Sequence, residues 1–181
     1  MRILALSGSL RAASTNTALL RAAGRVAPAG IAWSLYGKLG EIPPFNPDLD
    51  ETGAPAPVID FRAELGHAHG LVIASPEYAH GVPGALKNAL DWVVAGSEMV
   101  EKPVALFHAS SRGLVAQAAL AEILKTMSAH LVAEAAVTIP LIGKTQGEID
   151  EILSAPENAM ALRDAIGALA RAIEARRMRP A

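Results

Sequence analysis

Five short apolar runs, each followed by a stretch with helical spacing, constrain this chain more than any other feature. The runs are Ile3-Leu4-Ala5-Leu6, Ile31 to Tyr36, Gly70 to Ser75, Pro103 to His108, and about Val132 to Ile139. The segments between them carry apolar residues at helical intervals, over about Asn16–Val26, Val58–His67 and Pro83–Ala95. A fourth places Leu120, Ile123, Leu124 and Met127 on one face, and a fifth, about Glu157–Arg177, places Leu162, Ile166, Leu169 and Ile173. Gly70 to Ala74 has no polar side chain, the pattern of a strand covered on both faces. Strands alternating with helices predict an α/β fold: a parallel sheet with helices on both sides. In such sheets a ligand sits beyond the carboxyl ends of the strands, where the strand order reverses. The loops after strands one, three and four therefore form one candidate group: Ser9–Thr17, Pro76–Val82 and Ser110–Gly113.

Composition narrows the function. With 181 residues, 51% hydrophobic and 4% aromatic, the chain reads as one domain, 1–181, with an aliphatic core. A formal charge of -2 lacks the basic balance of a dedicated nucleic-acid binder. There is no cysteine, which excludes disulfides, thiolate nucleophiles and thiolate metal sites. Any redox chemistry must then be carried by a bound cofactor. The first apolar run is too short for a signal peptide, and no stretch reaches the ~18 apolar residues of a membrane span. A soluble, cytoplasmic protein is expected. The stretch Gly37–Pro57 holds five prolines and is too long for a simple connection. Gly143–Ser154 reads as polar surface, and Arg176-Arg177-Met178-Arg179 as a basic helix end.

The loop Ser7-Gly8-Ser9-Leu10-Arg11-Ala12-Ala13-Ser14-Thr15-Asn16 leads from a strand into a helix. Backbone N–H groups at that helix start, with the positive end of the dipole, favour an anion such as phosphate. Ser9, Ser14, Thr15 and Thr17 add hydroxyls, Asn16 an amide, and Arg11 a forked cation suited to phosphate. The same residue types are also ordinary helix N-caps. With one glycine, the loop is neither a dinucleotide fingerprint nor a P-loop.

Four blocks follow one another: Gly8-Ser9-Leu10-Arg11 with Ser14 and Asn16; Ile42-Pro43-Pro44-Phe45-Asn46-Pro47-Asp48-Leu49; Pro76-Glu77-Tyr78; and Pro83-Gly84 with Leu86-Lys87-Asn88 and Asp91-Trp92. This series resembles the NADPH-dependent FMN reductase family, which includes chromate, quinone and azo-dye reductases. The resemblance implies a flavodoxin-like three-layer fold, a five-stranded sheet in the order 2-1-3-4-5, and a homodimer or homotetramer. It implies FMN as cofactor and NADPH or NADH as hydride donor. Ser9, Arg11, Ser14, Thr15, Asn16 and Thr17 would hold the FMN phosphate. Pro76, Glu77 and Tyr78 would line the isoalloxazine ring, largely through backbone groups, and Ser110 and Ser111 would close the third side. Two positions depart from the family pattern: Ala79 stands where an Asn often follows Pro-Glu-Tyr, keeping a backbone N–H but losing a side-chain contact. Ala116-Gln117 stands where a Gly-Gly pair is common.

The reaction so implied needs no dedicated acid or base, and no catalytic side chain is assigned. The flavin supplies the reactivity, and acceptors would be quinones, azo dyes, metal oxyanions or free flavin. Arg112 is a candidate partner for the 2′-phosphate of NADPH. Glu77 reads as a loop acid bonded to backbone rather than a general base. Tyr78 suits either a flavin contact or a subunit interface, and His80 either substrate or surface. His67 and His69 flank a helix end, and the carboxylates Asp48, Asp50 and Glu51 lack calcium-loop spacing, so no metal site is expected. Lys87, Asn88, Asp91 and Trp92 share one helix in structural or interface roles. Two alternatives stand beside the reductase: a flavodoxin-type electron carrier, for which -2 is a mild charge, and a non-catalytic flavin-binding module.

Overall fold

The computed structural model describes residues 1–178; Arg179, the last residue of the basic helix end, lies outside them. The chain runs β1 (Arg2–Ser7), α1 (Thr15–Val26), β2 (Ala32–Tyr36), α2 (Pro47–Thr52), α3 (Ala56–His67), β3 (Gly70–Ala74) and α4 (Gly84–Asp91). It continues β4 (Pro103–His108), α5 (Leu114–Thr126), β5 (His130–Leu131), β6 (Val137–Thr138), α6 (Gln146–Ser154) and α7 (Pro156–Arg177). The strands are parallel in the order β2-β1-β3-β4-β5, with β6 also pairing β4. This is the flavodoxin-like arrangement, and β1 beside β3 is its switch point.

Alternation along the central strands feeds two separate cores. Ile3, Ala5, Val72 and Phe107 pack with α1, α6 and α7 on one face. Leu4, Leu6, Leu71, Ile73 and Val104 pack with α3, α4 and α5 on the other. Every residue of β3 is buried, as its apolar run predicts. Leu86, Leu90 and Val93, and likewise Leu162, Ile166, Leu169 and Ile173, lie in these cores.

Three details depart from the sequence expectation. The fifth strand is two two-residue pieces, split by a 3-10 turn at Ala133–Ala135. Ala and Glu are poor strand formers, and here they interrupt the run after Val132. Gly143–Ser154 contains α6, started by a capping box in which Thr145 and Glu148 bond each other's backbone N–H, with Ile149 and Leu153 buried. The proline-rich stretch contains α2, capped by Asn46.

That stretch is latched to α4. Asn88 accepts the N–H of Phe45 at 2.7 Å and donates to the carbonyls of Ile42 and Pro43. Trp92 Nε1 donates to Pro43 at 2.8 Å, and the Phe45 ring meets the Trp92 ring edge-on. Asp50 is taken by a bidentate pair with Arg62. The Asn88–Trp92 motif and Asp50 therefore act in packing. At the opposite edge of the sheet, His69 accepts the N–H of Arg2 through Nδ1. Lys102 is buried and donates to the carbonyls of Leu65 and Ala68 at the end of α3, and burial pulls its pKa down to about 8.

Candidate functional site

Gly8 carries the chain off β1, its N–H bonded to Ala74 O at 2.8 Å. A Cβ at Gly8 would lie 2.5 Å from Ser75 Oγ, so only glycine lets this loop approach the end of β3 so closely. Beyond it the loop is braced internally. Ser9 and Arg11 donate backbone N–H groups to Ser7 Oγ and Ser9 Oγ. Ser14 is the N-cap of α1, its buried hydroxyl accepting Thr17 N–H at 3.2 Å. Thr17 donates its hydroxyl to Ser7 Oγ at 2.8 Å. The N-capping reading of this loop therefore holds for Ser14. The N–H groups of Thr15 and Asn16 reach no backbone acceptor among the described residues. No acidic residue stands in the first turn of α1 to occupy its positive end. Asn16 is 5% exposed, and its buried Oδ1 has no hydrogen-bond partner among the described residues.

A cleft of about 310 Å³ opens at this helix start, bounded by the loops after β1, β3 and β4. It brings together Thr15, Asn16, Pro76, Glu77, Tyr78 and Ser110. The other proposed residues are placed around it. Ser9, Arg11 and Thr17 line a neighbouring cleft across the same loop, together with Arg21. Ala79 and Ser111 are exposed beside the Pro76–Tyr78 and Ser110 segments.

The wall after β3 is a tight turn in which Tyr78 and Gly81 exchange both backbone hydrogen bonds. Its central residues, Ala79 and His80, have φ of 49° and 56°. This is the turn geometry that Asn and Gly satisfy with least strain, and here Ala79 and His80 adopt it. The facing wall begins at Gly113, with φ of 94°, where α5 starts. The Ala116 N–H is accepted by Glu77, so replacing the Gly-Gly pair leaves that backbone donor engaged within the protein.

Ser75, His108, Ala109, Arg112, Gly113, Gln117 and Ile142 also line the cleft. Ser75, His108 and Ala109 end or follow β3 and β4, so the strand-end rule reaches them from sequence. Gln117 stands at the position where the resemblance expects a Gly-Gly pair, and Ile142 carries no sequence signal and is delivered by chain folding alone. His108 is half-buried, and desolvation holds its imidazole below the ordinary histidine range, hence neutral at pH 7. Arg112 donates its N–H to Ser110 Oγ, and its guanidinium forms no ion pair among the described residues. No cluster of three potential metal ligands exists among the described residues.

The sequence model of NADPH-dependent FMN reductases matches residues 1–143. The chain belongs to this family. It is 36% identical over 118 residues to a quinone reductase of Escherichia coli, a match covering 64% of this chain and 62% of that protein. It is 38% identical over 113 residues to an NAD(P)H-dependent FMN reductase of Pseudomonas aeruginosa, covering 61% and 60%. The match therefore spans about three-fifths of these two reductases' lengths. A subunit of an NADH:(hydroxy)cinnamate reductase of Vibrio ruber is 34% identical over 152 residues, covering 81% and 73%. Among solved structures, an NAD(P)H:(acceptor) oxidoreductase flavoenzyme from Paracoccus denitrificans superposes with a TM-score of 0.81. That alignment covers 96% and 97% of the two chains at 24% identity, a likeness of fold.

Proposed function

We propose that this chain is an FMN-dependent NAD(P)H oxidoreductase acting on quinone-type acceptors, with azo dyes, metal oxyanions and free flavin as further acceptors. The observation that carries the reading is the pair of backbone N–H groups of Thr15 and Asn16, which reach no backbone acceptor among the described residues, at the start of α1 and the switch point of the sheet. These groups suit a phosphate: backbone donors, the positive helix end and no competing carboxylate in the first turn. The cleft beside them, walled by Pro76–Tyr78 and Ser110–Gly113, suits the ring and ribityl chain.

In this reading Thr15 and Asn16 hold the phosphate directly, and Ser9 and Arg11 close over it from the adjoining side of the loop. Ser14 and Thr17 keep the loop in shape through the bonds already described. Backbone groups of Pro76, Glu77, Tyr78 and Ala79 orient the ring edge, and Ser110 and Ser111 border it. FMN, when bound, supplies the hydride and electron chemistry. The protein binds, orients and dehydrates the reacting face, and no side chain is assigned to proton transfer. Arg112, a cation with no ion pair among the described residues, is the partner for the 2′-phosphate of NADPH. Tyr78 and Ile142, 56% and 55% exposed, line the cleft, and Leu114 and Val115, which follow its residue Gly113, are also exposed. A second copy covering these residues accounts for their exposure, as a homodimer or tetramer of this single domain in the cytoplasm. Light scattering on a sizing column tests the assembly, and a monomer at micromolar concentration refutes it.

The deciding experiment is anaerobic stopped-flow mixing of the FMN-loaded protein with NADPH and, separately, with NADH. Rapid bleaching of the flavin band is expected, followed by reoxidation on adding a quinone. Flavin that binds but does not bleach gives the carrier or binding-module reading instead. An Arg112→Ala variant should lose preference for NADPH over NADH; an unchanged ratio removes Arg112 from coenzyme selection.

A further inference from the structure

Glu77 lies where the walls of the cleft face each other, and its carboxylate touches both. Oε2 accepts the N–H of Ala116 at 2.8 Å. Ala116 is the third residue of α5, whose N-cap, Gly113, offers no side-chain acceptor. Glu77 therefore caps this helix from another segment of the chain, at the positive end of its dipole. Oε1 lies 3.5 Å from Nδ1 of His80, one of the two left-handed residues in the turn that follows Tyr78. The two walls are also in direct contact: a Cβ on Gly113 would stand 3.3 Å from Cβ of Glu77. With Oε2 bonded to the Ala116 amide and the side chain only 20% exposed, this carboxylate is committed to a structure-bearing partner rather than to a substrate.

We propose that Glu77 is a positioning residue of the flavin site: by capping α5 across the cleft from the position next to Tyr78, its carboxylate fixes the spacing between the two walls that receive the ring. The inference rests on the FMN reading above. It assigns to the Glu77 side chain a role that its backbone contact with a flavin does not require. The carboxylate acts through the Ala116 amide, not on the reacting atoms.

The test compares the full-length chain with Glu77→Gln and Glu77→Ala. FMN affinity is measured by quenching of flavin fluorescence, and exchange of the Ala116 amide is measured in the flavin-free chain. Glu77→Ala should weaken FMN binding by about tenfold or more, the scale of one hydrogen bond to a charged group. It should also speed exchange at Ala116. Glu77→Gln keeps an oxygen to accept that N–H, so it should stay within about threefold of wild type and preserve the protection. Asn88→Ala, which loosens the molecule away from the cleft, should lower the melting temperature and leave FMN affinity unchanged. Wild-type affinity in Glu77→Ala overturns the proposal, and so does Glu77→Gln binding as weakly as Glu77→Ala. A wild-type chain that takes up no FMN overturns the flavin reading itself, and the ring-positioning role with it. Protection of Ala116 that depends on Glu77 would then remain as a helix cap alone.

Discussion

Replacing Gly8 with alanine tests how the loop after β1 is held against the sheet. Its φ is not in the left-handed region, so alanine meets no backbone strain there. The obstacle is space. The new Cβ would lie 2.5 Å from Ser75 Oγ and 3.0 Å from both Ser75 Cβ and Leu86 Cδ2. Ordinary contact needs about 3.5 Å, so loop and strand end must separate by about 1 Å. Overpacking of that size costs about 1–3 kcal/mol. For a chain of this length the expected fall in melting temperature is about 3–10 °C. The same displacement moves Thr15 and Asn16 away from the wall at Pro76, so FMN affinity should fall by about tenfold or more. Adding Ser75→Ala removes the nearest atom but leaves the two 3.0 Å contacts. The double variant should therefore recover part of the stability, with a coupling of about 0.5–1 kcal/mol. Thermal melts followed by circular dichroism and flavin-fluorescence titrations give both readouts. A Gly8→Ala chain melting within about 1 °C of wild type refutes the close-approach argument. So does a Ser75→Ala change that recovers nothing.

Asn88→Ala removes three hydrogen bonds that latch the proline-rich stretch to α4. With part of the latch solvent-exposed, the expected loss is about 2 kcal/mol, and limited proteolysis should cut between residues 37 and 57 sooner; an unchanged cleavage pattern would count against the latch. Ala79→Asn relieves a left-handed alanine and should raise the melting temperature by about 1–3 °C; a decrease means the Tyr78–Gly81 turn is not held as described. Burial first, then the charges of Arg177 and the N-terminus, lowers the pKa of His69, whose neutral Nδ1 accepts from Arg2. The unfolded chain then takes up this proton before the folded one. The contribution of His69 is full above about pH 6.5 and is lost as pH falls toward the lowered folded value. His69→Gln keeps an acceptor and should show a flatter melting profile between about pH 7.5 and 5.5; parallel profiles would exclude His69 as the source.

Much of the lining of the cleft could be read from the chain because strand ends are legible. Apolar runs end at Ser7, Ala74 and His108, and the rule that ligands gather beyond such ends pointed to the residues on both walls. What escaped was whatever depends on how side chains spend their bonding groups. Ser14, Thr17 and Ser9 look equivalent as hydroxyls in a loop. Folding makes Ser14 a cap, turns Thr17 toward Ser7, and leaves the N–H groups of Thr15 and Asn16 without a backbone acceptor among the described residues. The capping box of Thr145 and Glu148 was a local signal for α6, obscured by the polarity of its exposed face.

The sequence by itself determined the α/β class, the alternation of the main strands and helices, and the lack of thiol chemistry. Each follows from local periodicity or composition, which survive without any knowledge of neighbours. Tertiary structure decided the rest: the split of β5 and β6 along β4, the latch of residues 42–45 onto α4, and the bridge from Glu77 to Ala116. The latch and the bridge join residues 39 or more positions apart. No spacing rule reaches so far, because only the packed sheet brings the loops at its carboxyl edge within hydrogen-bonding distance.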